Sequence, residues 1–210
     1  MLTIIFLNGE FPRKKLVDRY LIKSDYIIAA DGGANYLKSR KILPDLIIGD
    51  LDSIGENHLS YFRDKNVKII KLREQKTTDF EKSLNYCLKN NLDEIIVFGA
   101  SSMRPDHTFN NLSVLKRYYR KLNIKFISGE FEIFYVNKSI KFDYKPGETV
   151  SFLAFPAAKG VRTGGLKYRL RGESLEFGKR EGTLNVSVSK KISIEFESGN
   201  LLLFRKHFLN

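Results

Sequence analysis

Short apolar runs alternate with helical spacing through the first 130 residues. Residues 2–7, 26–30, 46–48, 67–72, 94–98 and 124–127 each read as a strand. From Asp79 to about Lys89, Phe80, Leu84, Cys87 and Leu88 fall at i, i+4, i+7 and i+8, an apolar stripe down one helix face. Thr78 and Glu81 stand at capping-box spacing at its start. Another helix is predicted to begin near Asp106, with Leu112, Leu115 and Tyr119 facing inward. Alternation of this kind predicts an α/β unit, a mostly parallel sheet flanked by helices.

After Ser128-Gly129 the helical period disappears. Runs such as 149–155, 184–188 and 192–196 are separated by Pro146-Gly147, Gly160, Gly164-Gly165, Gly172, Gly178, Gly182 and Ser198-Gly199. Regular turn signals between short β-rich runs predict an all-β antiparallel sandwich or barrel. The expected division is therefore an α/β domain over residues 1–130 and an all-β domain, a sandwich or a barrel, over residues 131–210.

Composition narrows the function classes. The apolar fraction of 42% supplies a packed core, and no apolar run reaches the length of a membrane span. Residues 1–8 lack a basic leader and a small-residue cleavage site, so the cytoplasm is the expected compartment. Cys87 is the single cysteine, which excludes an intrachain disulfide and a thiolate zinc cluster. The net charge of +12 raises nucleic-acid binding as a reading. However, residues 1–130 carry 22 basic and 16 acidic side chains and residues 131–210 carry 14 and 8, so the excess is spread over both halves. Lys116, Arg117, Arg120, Lys121 and Lys125, the densest basic run, read as the solvated face of a helix. A positive field equally suits an anionic substrate such as a nucleoside triphosphate.

The candidate chemistry lies where strands end in acids. Asp31-Gly32-Gly33-Ala34-Asn35, Gly49-Asp50-Leu51-Asp52-Ser53, Thr78-Asp79 and Arg104-Pro105-Asp106-His107 each follow an apolar run. In an open parallel sheet the carboxyl ends of the strands share one crevice, so these groups can converge on one ligand. Asp50 and Asp52, with Gly49 beside them, suit a hard Mg²⁺ ion that also takes phosphate oxygens. The same residues also suit an Asx turn. Asp79 equally fits a favourable position in a first helical turn, and the Gly32-Gly33 pair fits a tight turn. Exposed amides there can alternatively meet phosphate or ribose. Arg104 can clamp phosphate oxygens. Asp106 reads either as a helix cap or as part of the charged crevice. Neither a dinucleotide glycine motif nor a P-loop is present. His58 and His207 receive no role.

In order, Leu7-Asn8-Gly9, the Asp31–Asn35 motif, Pro44-Asp45 leading into Gly49–Ser53, Thr78-Asp79-x-Glu81-Lys82 and the Gly99–His107 segment resemble the thiamine pyrophosphokinase family. Gly165-Leu166-Lys167-Tyr168-x-Leu170, Leu175-x-x-Gly178 and Gly182-Thr183-Leu184-Asn185 are similar to that family's vitamin-binding β-domain. The resemblance implies pyrophosphoryl transfer from ATP, the co-substrate, to thiamine, with Mg²⁺ as cofactor and AMP as by-product. It implies Asp50, Asp52 and Asp79 as metal ligands and Arg104 and Asp106 beside the phosphates. Asp31, Gly32, Gly33, Asn35, Thr78 and His107 then line the nucleotide site. Tyr168, Thr183 and Asn185 contact thiamine, Tyr168 by stacking on the thiazolium and Asn185 by hydrogen bonding the pyrimidine. A homodimer is implied, its vitamin site between the catalytic domain of one subunit and the sandwich of the other, with no nucleic-acid or membrane partner. Two departures from the family pattern stand out. Ser102-Met103 replace small glycines, and Leu184 replaces a serine. They motivate a second reading, a pyrophosphokinase for another vitamin-like alcohol. A basic nucleic-acid-binding protein is the reading from a different class.

Overall fold

The computed structural model describes residues 1–207. They divide into two compact units, the first ending at Gly129 and the second beginning at Glu130.

The first unit contains strands β1 (Leu2–Phe6), β2 (Tyr26–Ala30), β3 (Leu46–Gly49), β4 (Lys68–Lys71), β5 (Glu94–Phe98) and β6 (Asn123–Ile127). They pair in the order β4-β3-β2-β1-β5-β6, and each pairing is parallel. Helices α1 (Lys14–Leu21), α2 (Gly33–Ser39), α3 (Glu56–Asp64), α4 (Asp79–Lys89) and α5 (Pro105–Tyr118) fill the crossovers. The strands are nearly continuous apolar runs because both sheet faces are covered. Ile4, Phe6, Ala29, Ile47, Ile96 and Phe98 pack with Leu16 and Val17 of α1, Ala34 and Leu37 of α2, and Leu59 and Phe62 of α3. By alternation Ile5, Ile28 and Val97, all fully buried, point to the opposite face. Helix α4 packs near β2, β3 and α5, and Phe80 meets Phe126 at a ring distance of 5.6 Å.

The predicted stripe of α4 is present, with Phe80, Leu84 and Cys87 buried. Burial pushes the Cys87 thiol up to about 12. The capping box also forms: the Glu81 amide donates to Thr78 Oγ1 at 3.3 Å and the Thr78 amide donates to Glu81 Oε2 at 3.2 Å. In α5, Val114 and Leu115 are the buried residues, whereas Leu112 and Tyr119 are only partly covered.

The second unit holds β7 (Phe131–Val136), β8 (Ile140–Asp143), β9 (Thr149–Gly164), β10 (Arg171–Glu176), β11 (Gly182–Val186), β12 (Lys191–Glu195) and β13 (Ser198–Lys206). Pairings are antiparallel in the order β7-β13-β9-β12-β8, with β10 and β11 also on β9. Parallel pairing is thus confined to the first unit. Strand β9 runs to Gly164, well beyond the run at 149–155. Its buried positions pass from Val150, Phe152, Ala154 and Ala158 to Val161 and Thr163, so the inward phase changes around Gly160. That residue has a φ of 64° beside a register shift, as a bulge requires. One cluster takes residues from β7, β9, β10, β12 and β13, including Phe134, Phe152, Leu175, Ile194 and Leu203. The antiparallel strands therefore enclose a common core.

Candidate active site

Strands β2, β3 and β4 lie to one side of β1, whereas β5 and β6 lie to the other. The winding direction therefore switches between β1 and β5, and a crevice opens at the carboxyl ends of such strands. A cavity of about 990 Å³ lies there. Leu7, Asn8 and Gly9 line it after β1, Asp31 after β2, Asp50 after β3 and Gly99 after β5. Helix α4 contributes Asp79 and Lys82, and the start of α5 contributes Asp106 and His107.

Three of the acids converge. Carboxylate oxygens of Asp31, Asp50 and Asp79 lie within 4.8 Å of one another. Gly49 makes this possible, because a Cβ there would sit 2.9 Å from Asp31 Cβ and 3.1 Å from Asp79 Oδ1. Asp31 is 6% exposed. Burial pushes its carboxyl above the usual carboxylate range and Asp79 adds to the shift, while hydrogen bonds from Ser53 and Gly32 oppose it. Three close carboxylates repel one another, and a divalent cation relieves that repulsion. Their all-oxygen donor set fits hard Mg²⁺.

Asp52 stands outside this group. It is exposed, and its Oδ1 accepts from Ser53 Oγ at 3.0 Å. The cause is local: Leu51 has a φ of 65°, so the chain turns between Asp50 and Asp52. Such a conformation costs a leucine on the order of 1 kcal/mol, and the buried Leu51 side chain anchors it in the core. Asn35 is not on the cavity wall. Its Nδ2 donates to Ser53 O at 2.8 Å, while its Oδ1 lies 2.7 Å from His58 Nδ1. An amide oxygen only accepts, so His58 Nδ1 donates. The Ser53 amide in turn lies 3.4 Å from Asp31 Oδ1. His58, which had no recognisable motif, thus braces the acidic loop through Asn35. Gly32 and Gly33 are buried in close packing: a Cβ on Gly33 would lie 2.0 Å from Phe6 O, and one on Gly32 would strike Asn8.

Arg104 and Asp106 form a fork, with Nη2 to Oδ2 at 2.6 Å and Nε to Oδ1 at 3.3 Å. Both are exposed. The Arg104 hydrogen bond and charge hold Asp106 below the usual carboxylate range. Asp106 makes this fork, and Pro105 opens α5 without a side-chain cap. His107 Nε2 is 4.0 Å from Asp106 Oδ2 and is also exposed. Ser102 ties down the turn into α5, because its hydroxyl accepts from the Arg104 amide and donates to the Arg104 carbonyl, both at 3.1 Å.

Buried charges on α4 were not legible as such. Glu81, 4% exposed, pairs with Arg117 at 2.6 Å besides capping the helix. Lys82, also 4% exposed, donates to Asp79 Oδ1 at 2.9 Å. Asn8, Asn110 and Asn111 also line the cavity, and Asn111 donates to Ala100 O at 2.8 Å.

Residues 17–127 match the family model described as thiamin pyrophosphokinase, catalytic domain, and residues 137–201 match that of the thiamin pyrophosphokinase vitamin B1 binding domain. The chain belongs to the thiamin pyrophosphokinase family. It is 27% identical to thiamin pyrophosphokinase 1 of Caenorhabditis elegans over 215 residues, covering 92% of this chain and 85% of that protein. Its fold is similar to the crystal structure of thiamine pyrophosphokinase from Bacillus subtilis, with a TM-score of 0.85 at 21% identity over 100% of both chains. The yeast thiamin pyrophosphokinase structure gives 0.86 at 21% identity, over 98% of this chain and 86% of that one.

Within the part matched by the second thiamin pyrophosphokinase model, Tyr168 is 61% exposed. Asn185 is 3% exposed, and its Oδ1 accepts from the amides of Tyr168 and Val186 at 3.0 and 2.9 Å. Its Nδ2 donates to Tyr168 O at 2.7 Å. The Asn185 carboxamide thus braces the backbone beside Tyr168, and of its two Nδ2 hydrogens one makes the bond to Tyr168 O. Thr183 and Leu184 are exposed, and Leu184 has a φ of 56°.

Proposed function

We propose that this protein transfers a pyrophosphoryl group from ATP to the hydroxyethyl oxygen of thiamine, giving thiamine diphosphate and AMP. Membership of the thiamin pyrophosphokinase family carries this reading, and the cavity at the β1/β5 switch supplies chemistry that suits it. The first unit is the ATP-binding catalytic domain and the second, read as a sandwich folded about β9, binds the vitamin. Asp31, Asp50 and Asp79 would hold Mg²⁺, which supplies charge neutralisation for the phosphates when bound. Asp52, on the exposed side of the same loop, would serve the nucleotide-bound ion. Thr78 opens α4 at the cavity wall beside Asp79.

Attack of the alcohol oxygen on the β-phosphorus builds negative charge on the phosphate oxygens, so fixed cations and donors stabilise the transition state. Arg104 would serve this once phosphate oxygens replace Asp106 in its fork. The hydroxyl proton passes to one of the clustered carboxylates. Asn185 would hold the loop of Tyr168, whose exposed ring would stack on the cationic thiazolium, and its second Nδ2 hydrogen would serve the pyrimidine. We infer a homodimer with the vitamin at the subunit interface, working in the cytoplasm; no helix among the described residues is long and apolar enough to cross a membrane. Neither another alcohol nor nucleic acid is favoured by the family match. Incubation with ATP and thiamine tests the reading: AMP with thiamine diphosphate supports it, and ADP overturns it.

A further inference from the structure

Lys82 brings a positive charge to the wall of the acidic cavity and keeps it almost wholly out of solvent, at 4% exposed. Its position one turn after Asp79 on α4 lets the side chain run back toward the helix start. Nζ there meets Asp79 Oδ1 at 2.9 Å. Burying an ammonium is costly without a partner, and a single ammonium cannot neutralise the three carboxylates gathered around Asp79.

We propose that Lys82 is a two-position residue of the pyrophosphoryl-transfer site: it neutralises Asp79 in the empty cavity and turns to a nucleotide phosphate oxygen when a divalent cation takes Asp79. The proposal rests on the Mg²⁺ and ATP reading of this cavity. A divalent ion competes with Nζ for the same carboxylate and wins on charge. With all three carboxylates engaged by the ion, the oxygens of a phosphate entering the same cavity offer the displaced ammonium new acceptors. An ammonium suits this exchange, being a compact charge with three donors on a flexible stem. The exchange links cation loading to phosphate binding: each ligand removes a cost that the other would meet alone.

The test is Mn²⁺ binding to the whole, nucleotide-free protein, followed by steady-state kinetics. Wild type is compared with Lys82→Met, which keeps the length and loses the charge, and with Lys82→Arg, which keeps the charge. Removal of the competing ammonium is expected to tighten Mn²⁺ binding by about tenfold in Lys82→Met. In the same variant KM for ATP is expected to rise by about tenfold or more, as for a lost charge-assisted hydrogen bond. Lys82→Arg should keep Mn²⁺ affinity near that of wild type. A residue that merely supported the fold would not move the two affinities in opposite directions. Unchanged or weaker Mn²⁺ binding in Lys82→Met, or an unchanged KM for ATP, overturns the proposal while leaving the reading of the cavity intact. Wild-type protein that binds no Mn²⁺ with or without ATP overturns that reading and the proposal with it.

Discussion

Asn185 grips Tyr168 on both sides of its backbone, accepting from its amide at 3.0 Å and donating to its carbonyl at 2.7 Å. A buried carboxamide thereby fixes the loop that presents an exposed aromatic ring. Asn185→Ala removes these bonds from part-buried backbone groups of Tyr168 and Val186, at about 1–3 kcal/mol in total. We expect KM for thiamine to rise by about tenfold or more while KM for ATP stays within about twofold. Asn185→Asp retains the acceptor and should fall between alanine and wild type. Steady-state kinetics with each substrate varied in turn checks this, and equal changes in both KM values would count against it.

Gly49 provides the space in which Asp31 and Asp79 approach each other. A methyl group there must push one carboxylate aside, and a displacement of about 1 Å in a catalytic group costs about 100-fold in rate. Gly49→Ala is therefore expected to lose about 100-fold in kcat/KM. Its far-UV circular dichroism should remain that of wild type. Retention of full turnover would show that the three acids need not sit as close as they do here.

Spacing alone does not decide which acids gather. Asp31→Asn, Asp50→Asn and Asp79→Asn are each expected to weaken Mn²⁺ binding to the nucleotide-free protein by about tenfold or more. Asp52→Asn should leave that affinity near wild type, because its carboxylate lies outside the cluster. The same variant is expected to lose turnover if Asp52 serves the nucleotide-bound ion. Titration followed by electron paramagnetic resonance separates these outcomes, and equal weakening by Asp52→Asn would return that residue to the primary ligand set.

Much of this was written in local patterns. The stripe of Phe80, Leu84 and Cys87 and the Thr78–Glu81 capping pair are properties of a single helix, so spacing revealed both. Acids at the ends of β2 and β3 share a crevice because parallel strands all point the same way. What spacing could not convey depended on backbone turns or on partners distant in sequence. Period-two reasoning would place Asp50 and Asp52 together, but Leu51 in a left-handed conformation breaks the alternation. The apolar run at 149–155 understates strand β9 because Phe155-Pro156 and Gly160 interrupt the pattern, although pairing resumes beyond each. A lysine in a helix reads as solvated, and Lys82 is buried only because α4 packs over the sheet at the site. The partners of Asn185 and His58 lie 17 and 23 residues away, a distance that no local motif spans.

Pyrophosphoryl transfer requires that two phosphoryl groups leave ATP together and arrive on thiamine. Purified protein should be supplied with thiamine, Mg²⁺ and ATP carrying a radioactive label at either the β or the γ phosphate. With each label in turn, radioactivity is expected in thiamine diphosphate, with unlabelled AMP as the released nucleotide. Transfer of the γ label alone, with the β label left in ADP, would contradict it.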